Sequence, residues 1–251
     1  MTIEMTKSII FMTGCIDPGG MHMTLLTDTG KRKAQYIDAI RFYLASAGVP
    51  VLFVENSGND LSGEFPTEIS EKKLEIVTFR GNDYDKTRGK GYGEMMIIEE
   101  AIRSSSFFQQ ADFIFKVTGR YKVLNVRSYV GHYDEKRDTA ALMVNLQPDL
   151  ALADSRFFGA KPGFFEDFLI KYRPVINEQT CMYFEKALAN AVHEAIVQGF
   201  RYSCLPHYPR HSAESGTGGG VYNDSWSRWL VKEFLLKVQH RLQQAFSLRY
   251  E

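Results

Sequence analysis

Short apolar runs recur along the first half of the chain, and each is closed by a polar, glycine-bearing segment. Ser8 to Thr13, Val49 to Val54, Leu74 to Phe79 and Phe113 to Val117 are such runs. Apolar runs of this length without alternation are what strands buried on both faces show. Between them the period becomes helical. Tyr36, Ile37, Ile40, Leu44 and Ala47 share one face, and Gly48 and Pro50 stop that helix. Glu94 to Arg103 reads as a second helix. Strand alternating with helix implies right-handed crossovers and a largely parallel sheet, hence an α/β fold.

After Tyr121 the pattern changes. Thr139 to Val144 and Leu150 to Ala153 are predicted strands joined through Gln147-Pro148-Asp149, with no room for a helix between them. That spacing favours antiparallel pairing. A helix is predicted from about Glu178 to Gln198, with Asn177 as its cap and Gly199 at its end. Residues 206–220 are rich in proline and glycine and read either as a functional lid or as a disordered segment. Ser225 to Leu248 reads as an amphipathic helix. No repeat and no sharp linker divides the chain.

Composition narrows the class. The 251 residues are 44% hydrophobic and 24% charged, as in ordinary globular proteins, and the formal charges cancel. No global basic field argues for nucleic acid. Cys15, Cys181 and Cys204 are odd in number and far apart, with neither zinc nor disulfide spacing, which fits a reducing, cytoplasmic compartment. No signal-peptide pattern and no membrane-span-length apolar stretch is evident.

The strand ends carry the candidate chemistry. Lys116, Arg120 and Lys122 surround Gly119 where the fourth strand ends. Ligands of open α/β sheets bind outside the carboxyl ends of the strands, and cations gathered there suit phosphate oxygens. A second polar segment, Arg88-Gly89-Lys90-Gly91-Tyr92-Gly93-Glu94, opens the preceding helix, where Gly91 and Gly93 would let backbone amides approach an anion. The loops after strands one to three should surround a nucleoside, with Thr13, Gly14, Asp17, Glu55, Asn56 and Asp83 as its polar candidates. Ordinary turn chemistry also accounts for Thr13, Asn56 and Asp83.

In their order along the chain, Thr13-Gly14, Ile16-Asp17-Pro18, Glu55-Asn56-Ser57, Gly89 to Glu94 and Lys116 to Tyr121 resemble bacterial GT-A-type glycosyltransferases of capsule and lipopolysaccharide clusters. The resemblance spans about residues 8–160. It implies one GT-A-like, Rossmann-like domain over 1–251, with a nucleotide-binding half to about 125 and an acceptor half beyond. It implies a nucleotide-sugar donor as substrate, no cofactor, and a saccharide or lipid-linked saccharide acceptor. Peripheral contact with the inner membrane and a homodimer are further partner expectations, and nucleic acid is not expected. The alternatives are a sugar-phosphate nucleotidyltransferase and a non-catalytic nucleotide- or saccharide-binding protein. Gly14 to Gly20 contains Asp17 and neither Lys nor Arg, which argues against the nucleotidyltransferase.

Many GT-A enzymes hold a divalent metal with an Asp-x-Asp pair after the fourth strand. Here that position reads Thr118-Gly119-Arg120-Tyr121, and Asp83-Tyr84-Asp85 lies one strand too early. The expectation is a metal-independent site, with Arg120 and its neighbours as counter-charge for the leaving diphosphate. A base for the acceptor hydroxyl would come from Asp154, which follows a predicted strand, or from Glu178, Glu166, Asp167, His207 or His211. In the last helix Trp226, Leu230, Phe234, Val238 and Leu242 face Arg228, Lys232, Lys237 and Arg241. This stripe is expected to pack on the protein's own core; an anionic membrane surface is the alternative.

Overall fold

The computed structural model describes residues 8–21, 24–136, 141–214, 221–223 and 226–247. The chain runs β1 (Ser8–Gly14), α1 (Thr29–Ser46), β2 (Val51–Glu55), α2 (Pro66–Ser70), β3 (Leu74–Thr78), α3 (Lys90–Ser104), α4 (Ser106–Gln110) and β4 (Phe113–Thr118). It continues through β5 (Lys122–Val123), α5 (Val126–Lys136), β6 (Leu142–Met143), β7 (Phe157–Ala160), α6 (Pro162–Phe164), α7 (Phe184–Val197) and β8 (Tyr202–Ser203). β9 (His211–Glu214), β10 (Val221–Asn223) and α8 (Trp226–Ser247) complete it.

The main sheet has the order β3-β2-β1-β4-β7-β6-β8. β1 pairs in parallel with β2 on one side and β4 on the other. β2 continues in parallel to β3. Successive strands thus step away from β1 in one direction, and β4 then returns to its other side. That reversal makes the carboxyl ends of β1 and β4 the topological switch point, where open α/β sheets leave a crevice. All seven residues of β1 are buried, because helices cover both faces. Ile9, Phe11 and Ile114 meet α3 and α7 on one face. Ile10, Met12 and Phe115 meet α1 and α5 on the other. Each such apolar side chain contributes about 1.5–3 kcal/mol of burial.

Beyond β4 the sheet becomes mixed, as expected, but with different strands. β6 pairs antiparallel with β7, and β7 pairs antiparallel with β4. The expected strand at Leu150 to Ala153 does not form. Leu150 takes φ 62°, a left-handed conformation that ends regular pairing, and the segment keeps one isolated bridge, Leu146 to Ala153. Phe157-Phe158-Gly159-Ala160 takes its place, buried at every residue. Of the other expected strand, Thr139 and Ala140 lie outside the described residues. The helix expected from Glu178 splits. Asn177 caps only a 3₁₀ turn, Glu178–Thr180, and Cys181 at φ 57° separates it from α7.

The 206–220 segment is not a plain loop over its described part. β9 forms there and pairs with β5 and β10 in a small antiparallel sheet. α8 also differs from expectation. Glu233 and Leu236 are buried, whereas Trp226, Leu230, Phe234 and Val238 are exposed; Leu242 lies outside the described side chains. Glu233 turns inward because it accepts a bond from Tyr208 N at 2.6 Å and pairs with His207 Nδ1 at 2.9 Å. Among the described residues, no helix is long and apolar enough to cross a membrane.

Candidate functional site

A cavity of about 300 Å³ opens at the switch point. The loops after β1, β2 and β3 are tied into one wall. Glu55, fully buried, accepts from Ile16 N at 2.8 Å and from Ser57 N and Asn59 N at 2.9 Å. Asn82 Nδ2 donates to Asp17 O at 2.7 Å, and Asp17 N donates to Ser57 Oγ at 2.9 Å. α1 clamps the same loop from the other side. Arg32 Nε donates to Cys15 O and Ile16 O, both at 3.0 Å, and Tyr36 Oη accepts from Cys15 N at 2.9 Å. Asp28 caps this helix through Lys31 N at 2.8 Å, so α1 begins about two turns before the apolar pattern does and brings Arg32 to the site.

Of the residues expected around a nucleoside, Thr13, Gly14 and Asn56 line the cavity, and Asp17, Glu55 and Asp83 do not. Glu55 and Asp17 serve the loop itself, and Asp83 is exposed. Asn56 is 2% exposed, and its Oδ1 has no hydrogen-bond partner among the described residues. A buried acceptor left unpaired costs about 1–3 kcal/mol, so a donor from a ligand or from water would be favoured there.

The helix opening at Gly89 is built differently from expectation. α3 starts at Lys90, four residues before the expected Glu94, so Gly91 and Gly93 lie inside its first turn. Its first two amides are already met. Glu178 Oε1 accepts from Lys90 N at 2.9 Å and Gly91 N at 3.4 Å. This carboxylate complements the positive helix end. Gly89, at φ 86°, is a position that glycine suits, and a Cβ there would meet Glu178 at 2.0 Å. Gly91 and Gly93 line the cavity, yet a Cβ on them would meet Phe184 at 2.9 Å and Tyr84 at 2.4 Å. Close packing therefore accounts for these glycines.

The three cations at the end of β4 are separated rather than gathered. Arg120 and Tyr121 line the cavity. Lys116 is fully buried on the sheet's α3 side, paired with Glu94. It also donates to Ser155 O at 2.8 Å. Lys122 lies beyond the break at Gly119, in β5, and pairs with Asp38 of α1. A polar chain thus runs beneath the cavity. Thr13 Oγ1 donates to Glu94 at 3.1 Å, Glu94 meets Lys116, Lys116 meets Ser155, and Ser155 Oγ donates to Glu185 Oε1 at 2.8 Å.

Arg32 and Lys90 join Arg120 at the wall. Arg32 bonds to backbone carbonyls, and Arg120 Nη1 donates to the neutral Gln35 Oε1 at 3.0 Å. Burial holds the Lys90 ammonium below its usual pKa; Glu178 opposes this, and the charges of Arg120 and Arg32 add to it. Three cations that disfavour one another in a half-enclosed space would gain from an anion. Arg156 also lines the cavity but is bound to Asp154, Nε to Oδ1 at 2.9 Å and Nη2 to Oδ2 at 2.6 Å. Burial alone would raise the Asp154 pKa; the Arg156 bonds and charge, with His211, bring it below the usual carboxylate value.

The carboxylates at the cavity are Glu94, Glu178 and Glu185, each engaged as described. Among the described residues, no three His, Cys, Asp or Glu side chains gather where they could hold a metal ion. The strand end that would carry paired carboxylates presents Thr118 and Arg120 to the cavity instead. The residues present do not fit a divalent ion on a diphosphate. Elsewhere, Asp85 caps the 3₁₀ turn Lys86–Arg88 through Thr87 N at 3.0 Å, Glu166 and Asp167 are exposed, His207 pairs with Glu233, and His211 is buried against the Tyr121 ring.

Sequence reasoning missed Arg32, Tyr36 as a site residue, and Glu185. The cap at Asp28 was the available signal for Arg32, since it places Arg32 and Tyr36 one turn apart on α1. No family model matches the chain, and no curated protein matches it in sequence. Many solved structures are similar at low identity, and two of them are representative. One is a putative nucleotide-diphospho-sugar transferase from Desulfovibrio desulfuricans, with TM-score 0.42 and 10% identity over 80% of each chain. The other is a cytidylyltransferase from Leptospira borgpetersenii, with TM-score 0.43 and 13% identity over 82% of this chain and 76% of that one. Likenesses at this level leave the activity to be read from the chain's own residues.

Proposed function

We propose that the protein is a glycosyltransferase, and that its switch-point cavity takes the nucleoside diphosphate of a sugar nucleotide. The observation that carries this reading is the pairing of two features in one cavity. One is the set of cations Arg32, Lys90 and Arg120, and the other is the buried, unmet acceptor of Asn56. The cations suit the diphosphate, and Asn56 Oδ1 suits an N–H of a base. Arg120 is the counter-charge as the diphosphate leaves, because charge developing there needs a fixed donor. Glu185 takes the role of acceptor base in place of Asp154 and Glu178. Asp154 is locked by Arg156 and Glu178 by the α3 amides, whereas Glu185 holds only the Ser155 hydroxyl among its described side-chain contacts. The acceptor is a surface saccharide in this reading.

A thermal-shift screen over nucleotides and sugar nucleotides tests binding. A ligand at a hundredfold excess over its dissociation constant stabilises by about 2.7 kcal/mol. One nucleoside diphosphate class should raise the melting temperature, and Asn56→Leu should abolish the rise without unfolding the chain. A flat screen would sink the reading. Release of nucleoside diphosphate from the bound sugar nucleotide should persist in excess chelator. Pyrophosphate-dependent formation of a nucleoside triphosphate would instead identify a nucleotidyltransferase.

A further inference from the structure

Among its described side chains, α8 is attached to the protein by one face. Trp229 Nε1 donates to Tyr208 O at 2.9 Å, Glu233 binds Tyr208 N and His207, and Leu236 is buried. These contacts fix the rotation of the helix. The face turned outward is apolar. Leu230, Val231, Phe234, Leu235 and Val238 are between 39 and 66% exposed. At 3.6 residues per turn they occupy an arc of about 140°. Surface helices of globular proteins normally show the reverse arrangement, with apolar residues inward.

The charges around this arc are of one sign. Arg228 and Lys232 border it on one side, Lys237 borders it on the other, and Arg241 follows toward the C-terminal end. Arg228, Lys237 and Arg241 are exposed. Glu233 is the single acidic residue between Trp226 and Ser247; it is buried on the opposite face and pairs at 3.1 Å with Lys237, which leaves Arg228, Lys232 and Arg241 as the other cations around the arc. Two copies meeting through this face would therefore bring basic residues against basic residues with no exposed acid on the helix to offset them. A surface that is apolar in depth and anionic at its rim complements it instead.

We propose that the outward face of α8 docks on an anionic lipid bilayer, with the helix lying in the interface. Phe234 and its apolar neighbours enter the acyl boundary, and the basic side chains extend to the headgroups. The full-length protein should sediment with vesicles of phosphatidylcholine and phosphatidylglycerol, and not with phosphatidylcholine alone. High salt should release it. Replacing Arg241 by Gln should lower the partition coefficient by roughly fivefold. Phe234→Glu should abolish sedimentation while leaving the circular dichroism and melting temperature unchanged, because the side chain is 66% exposed; Leu235→Glu is an independent probe. Equal binding to neutral and anionic vesicles, or undiminished binding of both glutamate variants, would overturn the proposal. So would light scattering that shows a wild-type dimer and a Phe234→Glu monomer, since a second copy would then cover the face.

Discussion

The two walls of the cavity are held by different means. The wall made by β1, β2 and β4 carries Thr13, Asn56 and Thr118 at the ends of paired strands, so backbone ladders set their positions and side-chain bonds from Glu55, Arg32 and Asn82 hold the loops that follow. The facing wall carries Glu178, Glu185 and Ser155, and there individual side-chain bonds do the positioning: Glu178 to the amides of α3, Ser155 to Glu185. A sheet distributes the consequence of one lost contact over many bonds. A wall built from single polar contacts concentrates it. Lys116 joins the two, since it stands in β4 and reaches Ser155.

The largest effect should come from cutting that join. Lys116→Ala leaves Glu94 without its counter-ion beneath the cavity, and breaking a buried pair on one side costs about 3–5 kcal/mol. Urea unfolding should show this loss, and removing the charge of Glu94 as well should recover much of it. Full stability in the single variant would mean that the two walls are independent.

Next in size is Glu178→Ala. Losing two charge-assisted amide contacts at a helix start should lower stability by about 1–2 kcal/mol, close to the cost of deleting an N-cap. The loss should fall on the second wall. Hydrogen exchange should therefore quicken at the start of α3 and leave β1 and β4 protected; uniform loss of protection would contradict the division drawn above.

A smaller effect concerns pH. The Lys90 pKa is depressed chiefly by burial. A bound diphosphate favours its charged form and so raises that pKa. Binding then takes up a proton, and affinity should fall as pH rises through the depressed value of the free protein. Calorimetry across neutral to alkaline pH should record this fall, and Lys90→Met should flatten it. A wild-type affinity that is flat or rises with pH would remove Lys90 from the anion site.

The least costly test is chemical. Burial pushes the Cys15 thiol up to about 11, with Arg32 partly opposing it, and Cys204 is likewise raised to about 11. At neutral pH both are protonated and poor nucleophiles. Cys181 is exposed. Intact-mass analysis after brief alkylation should show one label, at Cys181. Early labelling of Cys15 would show that the loop after β1 opens, against the rigidity assigned to the first wall.

The first wall was largely legible in the sequence, because strands buried on both faces write themselves as unbroken apolar runs and their ends are marked by polar turns. Thr13, Asn56 and Arg120 follow directly from those ends. The second wall was not. Glu178 read as the start of a long helix because Asn177 caps whatever follows it, and the partner that decides its role lies far away in sequence, at Lys90. The glycines at 91 and 93 carried a phosphate-like signal, yet Phe184 and Tyr84 account for them by contact. β7 was missed since Phe157-Phe158-Gly159-Ala160 is too short for a periodic pattern, and the turn before it suggested a nearer partner. The outward face of α8 shows the same limit: an amphipathic stripe fixes that a helix has two faces, and long-range bonds such as Glu233 to Tyr208 fix which one turns inward.

The central place of β1 has a consequence for the protein's synthesis. Its β4 partner begins at Phe113, more than a hundred residues after Ser8. A ribosome adding about 5–20 residues per second needs about 5–20 s to cover that distance. Once β2 is made it can pair with β1, but the other edge of β1, whose residues Ile9 to Met12 are apolar, still has no strand to meet. Sequestration of the nascent N-terminal segment is therefore a requirement of this strand order, and chains released before β4 is made should be the aggregating species.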